Sequence, residues 1–147
     1  MQTAEMQRCT LQEHGFAGVF FPGTVAREKA IIAAGGASCD EKTSISMSRF
    51  LRKAGYNVLV LGFYLWEGLS KKLVSIPVDY VERAVRWLKE EKGFQGIAMT
   101  SASTGAGYTL LAASLIPDIG CVIPIVPFDH VMEGTTNSFK RMGRSVY

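Results

Sequence analysis

"GIAMTSASTGAGYTLLAASLI", residues 96–116, is the stretch on which the fold turns. Its first five residues read as a strand. From Thr104 onward, "TGAGYTLLAASLI" reads as a helix that stops before Pro117, because the residue preceding a proline avoids helical backbone. Between the two, Ser101, Ser103 and Thr104 crowd a short segment, and Gly105 and Gly107 follow. Residues this small allow a tight bend from a strand into a helix.

The rest of the chain repeats this alternation. "FAGVFF" (16–21) and "KAIIAA" (29–34) read as strands, the second ending at Gly35-Gly36, with the polar "ASCDEKTS" after it. "ISMSRFLRKAG" (45–55) reads as a helix: Met47, Phe50, Leu51 and Ala54 share one face, and Gly55 can stop it. "NVLVLGFY" (57–64) has the branched apolar run of a strand buried on both faces. "WEGLSKKLVS" (66–75) reads as a loop. "IPVDYVERAVRWLKEEKG" (76–93) is the clearest helix. Pro77 suits its first turn and Asp79 its positive end, while Val78, Val81, Val85 and Leu88 form a stripe that Tyr80, Ala84 and Trp87 widen. "CVIPIVPF" (121–128) is a further apolar run, short or edge-like, since Pro124 removes a ladder donor. The polar tail of residues 135–147 is compatible with poor order.

Strands alternating with helices predict an α/β fold: three layers, α/β/α, around a mostly parallel sheet with right-handed crossovers. Such sheets place their sites at the carboxyl ends of strands. Here those ends are Gly35-Gly36, Phe63-Tyr64, residues 100–103 and residues 128–130.

Composition narrows the function. The chain has 147 residues, 48% hydrophobic and 20% charged, enough for one domain with a sizeable core and too apolar for disorder. A net charge of +3 with scattered basic residues argues against nucleic acid. No unbroken apolar stretch reaches the length of a membrane span, and no N-terminal targeting pattern is evident, so the expected setting is cytoplasmic. Cys9, Cys39 and Cys121 lack paired metal spacing; neither a metal nor a redox cofactor is implied.

The bend itself carries chemistry. Ser101, Ala102, Ser103, Thr104 and Gly105 align with the nucleophile-elbow pattern G-x-S-x-G, with Ser103 at the nucleophile and Ser101 in place of the first glycine. The Thr104 N–H would supply one oxyanion donor, and "GGASCD" a second through Ala37 or Ser38. The alternative use of Ser101, Ser103 or Thr104 is a helix N-cap. Phosphate binding by "GGASCDEKTS" is a weaker alternative, since Lys42-Thr43 matches only the end of a P-loop. Asp40, Glu41 and Lys42, and then Tyr64, Trp66 and Glu67, could line a cleft beside it, and Cys39 could be a reactive thiol there; solvated loop charges, a sealed core edge and a quiet thiol are the plainer readings.

At this point the chain resembles the C-terminal catalytic domain of the acyl-CoA thioesterase and bile-acid-CoA:amino-acid N-acyltransferase family, an α/β-hydrolase. The resemblance rests on "KAIIAAGG", "FLRKAGYNVLVLGFY", "IPVDYVERAVRWLKEEKGFQGIAMTSASTGAGYTLLAASLIPDIGCVIPIVPF" and "DHVMEG", and covers residues 15–134. It implies a small acyl thioester or ester as substrate, CoA as a substrate component, a nucleophile at the Ser103 position, and a loop donor at Ala37 or Ser38. Ser101 stands where the family has glycine.

In that family the acid and histidine follow later strands, so this chain would be a partial α/β-hydrolase fold, truncated after its sixth strand. Its histidines are His14 and His130. His130 follows the nucleophile and is the candidate base, and Asp129 beside it the candidate acid, although adjacent side chains generally point apart. A sheet ending there leaves an apolar edge, which predicts a homo-oligomer or a missing C-terminal half. Two functions follow: a serine hydrolase, or a catalytically silent hydrolase-like scaffold that works by association.

Overall fold

The computed structural model describes residues 5–136 and 140–147; residues 1–4, and 137–139 within the polar tail, lie outside the described residues. The sheet is built around β4 (Asn57–Gly62), where Val58, Leu59, Val60 and Leu61 are completely buried. A run of branched apolar residues suits a central strand because helices cover both of its faces. Leu59 and Leu61 face one layer of core, with Ile32, Met99, Val81, Leu88 and Tyr108. Val58 and Val60 face the other, with Val19, Ala33, Trp66 and Leu69. This alternation along one strand separates the three layers.

Among the described residues six strands form one sheet in the order β1-β2-β4-β3-β5-β6: β1 is Gln7–Cys9, β2 Ala17–Phe21, β3 Lys29–Ala34, β5 Gly96–Ala102 and β6 Ile119–Ile125. β3 pairs in parallel with both β4 and β5, and β5 with β6. β2 runs antiparallel to β4, and β1 antiparallel to β2. The sheet is therefore mixed but mostly parallel. The sense of β2 follows from its connection, residues 22–28, which contains no helix to carry a parallel crossover.

One short helix was not evident from apolar spacing. The single turn α1 (Leu11–His14) is closed by Thr10, whose Oγ1 accepts from the Glu13 N–H at 3.3 Å, and by Gly15 at φ +74°. The helix expected at 45–55 begins earlier, because Asp40 Oδ1 accepts the Thr43 N–H at 2.8 Å, and it is divided into α2 (Glu41–Met47) and α3 (Arg49–Lys53). The break has a local cause. The Ser48 hydroxyl and the Arg52 guanidinium both donate to the Ile45 carbonyl at 2.8 Å, capturing an acceptor that the backbone ladder would use.

On the opposite face lie α4 (Asp79–Glu90) and α5 (Thr104–Leu115). α4 buries Val81, Ala84, Val85, Trp87 and Leu88, the wide apolar stripe legible in its sequence. β6 is the outer strand. Among the described residues nothing pairs with its free edge, and Cys121, Ile123 and Ile125 are exposed there. β7 (Glu133–Thr135) and β8 (Arg141–Ser145) form a separate antiparallel ribbon. The end of β8 and the residue after it dock on the loop before α4: the Ser75 and Ile76 N–H groups donate to the Ser145 and Val146 carbonyls at 3.0 and 2.9 Å, and Val146 is buried.

Candidate active site

The carboxyl ends of β3, β5 and β6 meet at one rim. There β5 passes directly into α5 through a single residue, Ser103, at φ 54° and ψ −122°. A non-glycine residue pays steric strain in this region of backbone space, and persists there only where its surroundings hold it. The hold comes from two directions. The Ser103 N–H donates to the Ile125 carbonyl of β6 at 2.9 Å, and the Ala106 and Gly107 N–H groups donate to the Ser103 carbonyl at 2.9 and 3.3 Å. No side-chain cap bond is made by Ser103, so its hydroxyl is not occupied as an N-cap. Among the described residues Ser103 Oγ has no hydrogen-bond partner, and the side chain is only half-buried.

Small residues around Ser103 allow the close packing. A Cβ on Gly105 would stand 1.9 Å from the Gly35 carbonyl oxygen, so α5 presses its first turn against the end of β3 at glycine alone. A Cβ on Gly36 would come 3.2 Å from the Ala102 carbonyl oxygen and 3.6 Å from Ser103 Cβ. The loop after β3 therefore lies against the bend. Ala37 and Ser38 follow in that loop, which closes with the Cys39 N–H donating to the Gly36 carbonyl at 3.2 Å. Among the described residues the Ala37, Ser38 and Thr104 N–H groups have no acceptor, Thr104 being the first residue of α5. Donors without an acceptor thus stand in the residues that follow Gly36 and Ser103, one set in a loop and one at a helix start, the kind of group that can receive negative charge.

Ser101, which interrupts the motif, is buried one residue before the end of β5, and its Oγ lies 2.5 Å from Thr109 Oγ1 on α5. Thr109 was not legible as part of the site, because it sits inside an apolar helical run. Tyr147 was likewise missed. Its hydroxyl donates to the Thr104 carbonyl, and its ring stacks on Tyr108 with centroids 5.5 Å apart. Phe63 packs on both Tyr64 and Tyr108 at 5.4 and 5.1 Å, extending an aromatic wall behind the bend. Burial pushes the Tyr64 and Tyr147 phenols up to about 12, and Tyr108 further in the same direction. All three are neutral near neutral pH, and the Tyr108 and Tyr147 hydroxyls donate to the Pro77 and Thr104 carbonyls.

Asp129 and His130 lie on the exposed segment after β6. Adjacent side chains were expected to point apart; here Asp129 Oδ1 and His130 Nδ1 are 2.6 Å apart, because both side chains extend into solvent with nothing between them. The bond to His130 holds the Asp129 carboxyl below the usual carboxylate range. No hydrogen bond joins this pair to Ser103 among the described residues. His14 is fixed elsewhere. Its Nδ1 accepts the Thr10 N–H at 3.2 Å and its ring packs edge-on against Phe16 and Trp87.

Other residues near the rim have structural partners. Asp40 caps α2, Glu41 pairs with Arg8, Trp66 packs over Gly62, and Cys39 Sγ lies 3.5 Å from Met47 Sδ. Among the described residues no cluster of three metal-ligating side chains occurs, and no helix is long and apolar enough to cross a membrane.

Comparison with known proteins agrees with this fold. No protein-family model matches the chain. Over 73 residues it is 36% identical to the peroxisomal succinyl-coenzyme A thioesterase of Mus musculus, an alignment covering 48% of this chain and 17% of that protein. Among solved structures, DcsB in complex with its substrate analogue superposes with a TM-score of 0.65 at 15% identity, covering 88% of this chain and 47% of that one. The dienelactone hydrolase of Anabaena variabilis superposes with a TM-score of 0.62 at 19% identity, covering 82% and 62%. The chain thus spans a small part of the curated relative and about half of the solved structures it resembles. What the chain shares with the superposed structures is the fold, that of α/β-hydrolases.

Proposed function

We propose that this chain acts as a serine hydrolase on small acyl thioesters or esters, acyl-CoA thioesters among them, through an acyl-enzyme on Ser103. The observation that carries the reading is the backbone of Ser103: a non-glycine residue at φ 54°, between strand and helix, with its hydroxyl uncommitted. A capping serine needs no such strain, whereas a nucleophile presented to a substrate gains exposure from it. The 36% identity to a succinyl-coenzyme A thioesterase supports a thioester over other acyl substrates, and with it the acyl-CoA thioesterase and acyltransferase family.

In this reading Ser103 Oγ attacks the acyl carbonyl carbon and gives its proton to a base. The negative charge that forms on the carbonyl oxygen is received by the Thr104 N–H and by that of Ala37 or Ser38, each such donor contributing about 3 kcal/mol to the transition state. The C–S or C–O bond then breaks, the base returns the proton to the leaving thiolate or alkoxide, and water repeats the sequence on the acyl-enzyme. His130 is the base this reading assigns and Asp129 the acid that orients it. Their hydrogen bond supports that pairing, and catalysis requires His130 to come within about 3 Å of Ser103 Oγ.

A fluorophosphonate probe tests the nucleophile. The expected result is labelling of Ser103, abolished in Ser103→Ala. Folded protein that takes no label leaves the second reading, a silent hydrolase-like scaffold, which is favoured by the absence, among the described residues, of a hydrogen bond between His130 and Ser103 Oγ. Association of copies through the open β6 edge belongs to both readings. It is supported by the exposed Ile123 and Ile125, and light scattering that finds only monomer removes it. A cytoplasmic setting goes with them, supported by three free thiols.

A further inference from the structure

We infer that Ser101 and Thr109 form a positioning pair, tying the strand before the bend to the helix after it and so fixing the attitude of Ser103. The motif asks for glycine at position 101 because strand and helix approach closely there. In this chain the approach is closest on the other side. A Cβ on Gly105 would meet the Gly35 carbonyl at 1.9 Å, and would lie only 3.2 Å from Ser101 Cβ. With position 105 bare, position 101 has room for a side chain, provided that side chain is short and its polar atom finds a partner.

Both conditions are met. Ser101 is 4% exposed and Thr109 fully buried, and their hydroxyls are 2.5 Å apart. Thr109 lies one turn beyond Gly105 and so shares its helix face. The bond therefore spans the strained residue: one end is two residues before Ser103 and the other is on the helix that Ser103 starts. Relaxation of φ at Ser103 toward an ordinary value would swing α5 relative to β5 and break it. Neither hydroxyl touches the reacting atoms. Thr109 can also fall back on the Gly105 carbonyl one turn earlier, so breaking the pair strands no buried group at that end. What is lost is orientation.

The part of this inference that concerns reactivity rests on Ser103 being the nucleophile; the part that concerns the bend does not. Hydrogen exchange at the amides of Ala106 and Gly107, which donate to the Ser103 carbonyl, reads the bend, and the rate of fluorophosphonate labelling at saturating probe reads reactivity. Ser101→Ala and Ser101→Gly are expected to speed exchange and slow labelling by about fivefold each, the equivalent of one net hydrogen bond, with the concentration giving half-maximal rate unchanged. Thr109→Ser keeps the hydroxyl and should behave as the parent protein. Ser101→Gly is the sharpest variant. It completes the motif and adds no volume, so it folds if any variant does. Labelling and exchange in Ser101→Gly equal to or better than the parent's overturn the inference. Exchange that rises in Ser101→Ala and Ser101→Gly while the parent itself takes no label upholds the pair and removes the serine-hydrolase reading. Exchange and labelling that both stay constant in every variant remove the pair alone.

Discussion

Replacing Gly105 by alanine sets two physical effects against each other. Intrinsic helix propensity favours alanine by about 1 kcal/mol at a helical position. Packing opposes it. The new Cβ would stand 1.9 Å from the Gly35 carbonyl oxygen, whereas a carbon and an oxygen rest about 3.3 Å apart. Relief therefore requires a retreat of about 1.4 Å by one backbone or the other. Gly35 follows directly on β3, whose Ala33 and Ala34 are buried, and α5 is anchored by Ala106, Tyr108 and Ala112 in the core. Neither side is a flexible side chain that could turn away.

Overpacking of this severity costs about 3 kcal/mol or more, outweighing propensity. Net of propensity this leaves about 2 kcal/mol, so at about 3 °C per kcal/mol for a domain of this size Gly105→Ala should melt roughly 6 °C below the parent. Gly120→Ala is the control: the nearest heavy atom to its Cβ is the Ile97 carbonyl oxygen at 4.0 Å, and the change should fall within about 0.5 kcal/mol. Thermal unfolding followed by circular dichroism decides it. A Gly105→Ala protein as stable as the parent would refute the close approach of α5 to β3, and with it the geometry argued for Ser101.

Two further outcomes are expected. Asn57→Leu should cost about 2 kcal/mol in urea unfolding, because the buried Asn57 Oδ1 accepts the Gly23 N–H at 2.8 Å and its Nδ2 donates to the Lys29 carbonyl at 3.0 Å, leaving part-buried backbone groups without these partners; an unchanged midpoint contradicts this. Stability should also fall at alkaline pH. Cys9 rises from 9.0 to about 12, and Tyr64 and Tyr147 from 10.0 to about 12, all chiefly by burial. The unfolded chain thus releases these protons at lower pH than the folded one, so their contribution is complete below pH 9 and is lost between pH 9 and 12. A urea midpoint that stays level across that window refutes the assignment, and Tyr147→Phe should make the decline shallower above pH 10.

Much of the architecture was legible because it is written in local pattern. The β4 strand announces itself by four consecutive branched residues, and α4 by a stripe running from Val81 to Leu88. What was not legible depends on distant partners. Which strand β2 pairs with is settled at a distance, and β1 is a three-residue segment with no pattern of its own. The break at Ser48 comes from a side chain competing with the backbone, which apolar spacing cannot register. Val146 and Tyr147 sit in a polar stretch, yet their burial depends on contacts with the loop before α4 and with the start of α5.

The candidate site divides in the same way. Ser103 and the loop at Ala37 and Ser38 were legible because a strand-to-helix bend and a glycine pair each need particular small residues in sequence. The approach of the candidate base was not, since the span from His130 to Ser103 is a matter of how one exposed segment lies, and no residue type encodes it. Ser101 shows what a motif does encode. Read as letters, serine for glycine weakens the match to an elbow. Read as contacts, the pattern is a limit on how much side chain the two sides of a bend can hold together. Gly105 meets that limit against Gly35, leaving space that Ser101 fills and Thr109 satisfies. The substitution is thus compatible with the bend, and the close contact that demands glycine there is made at position 105, against Gly35.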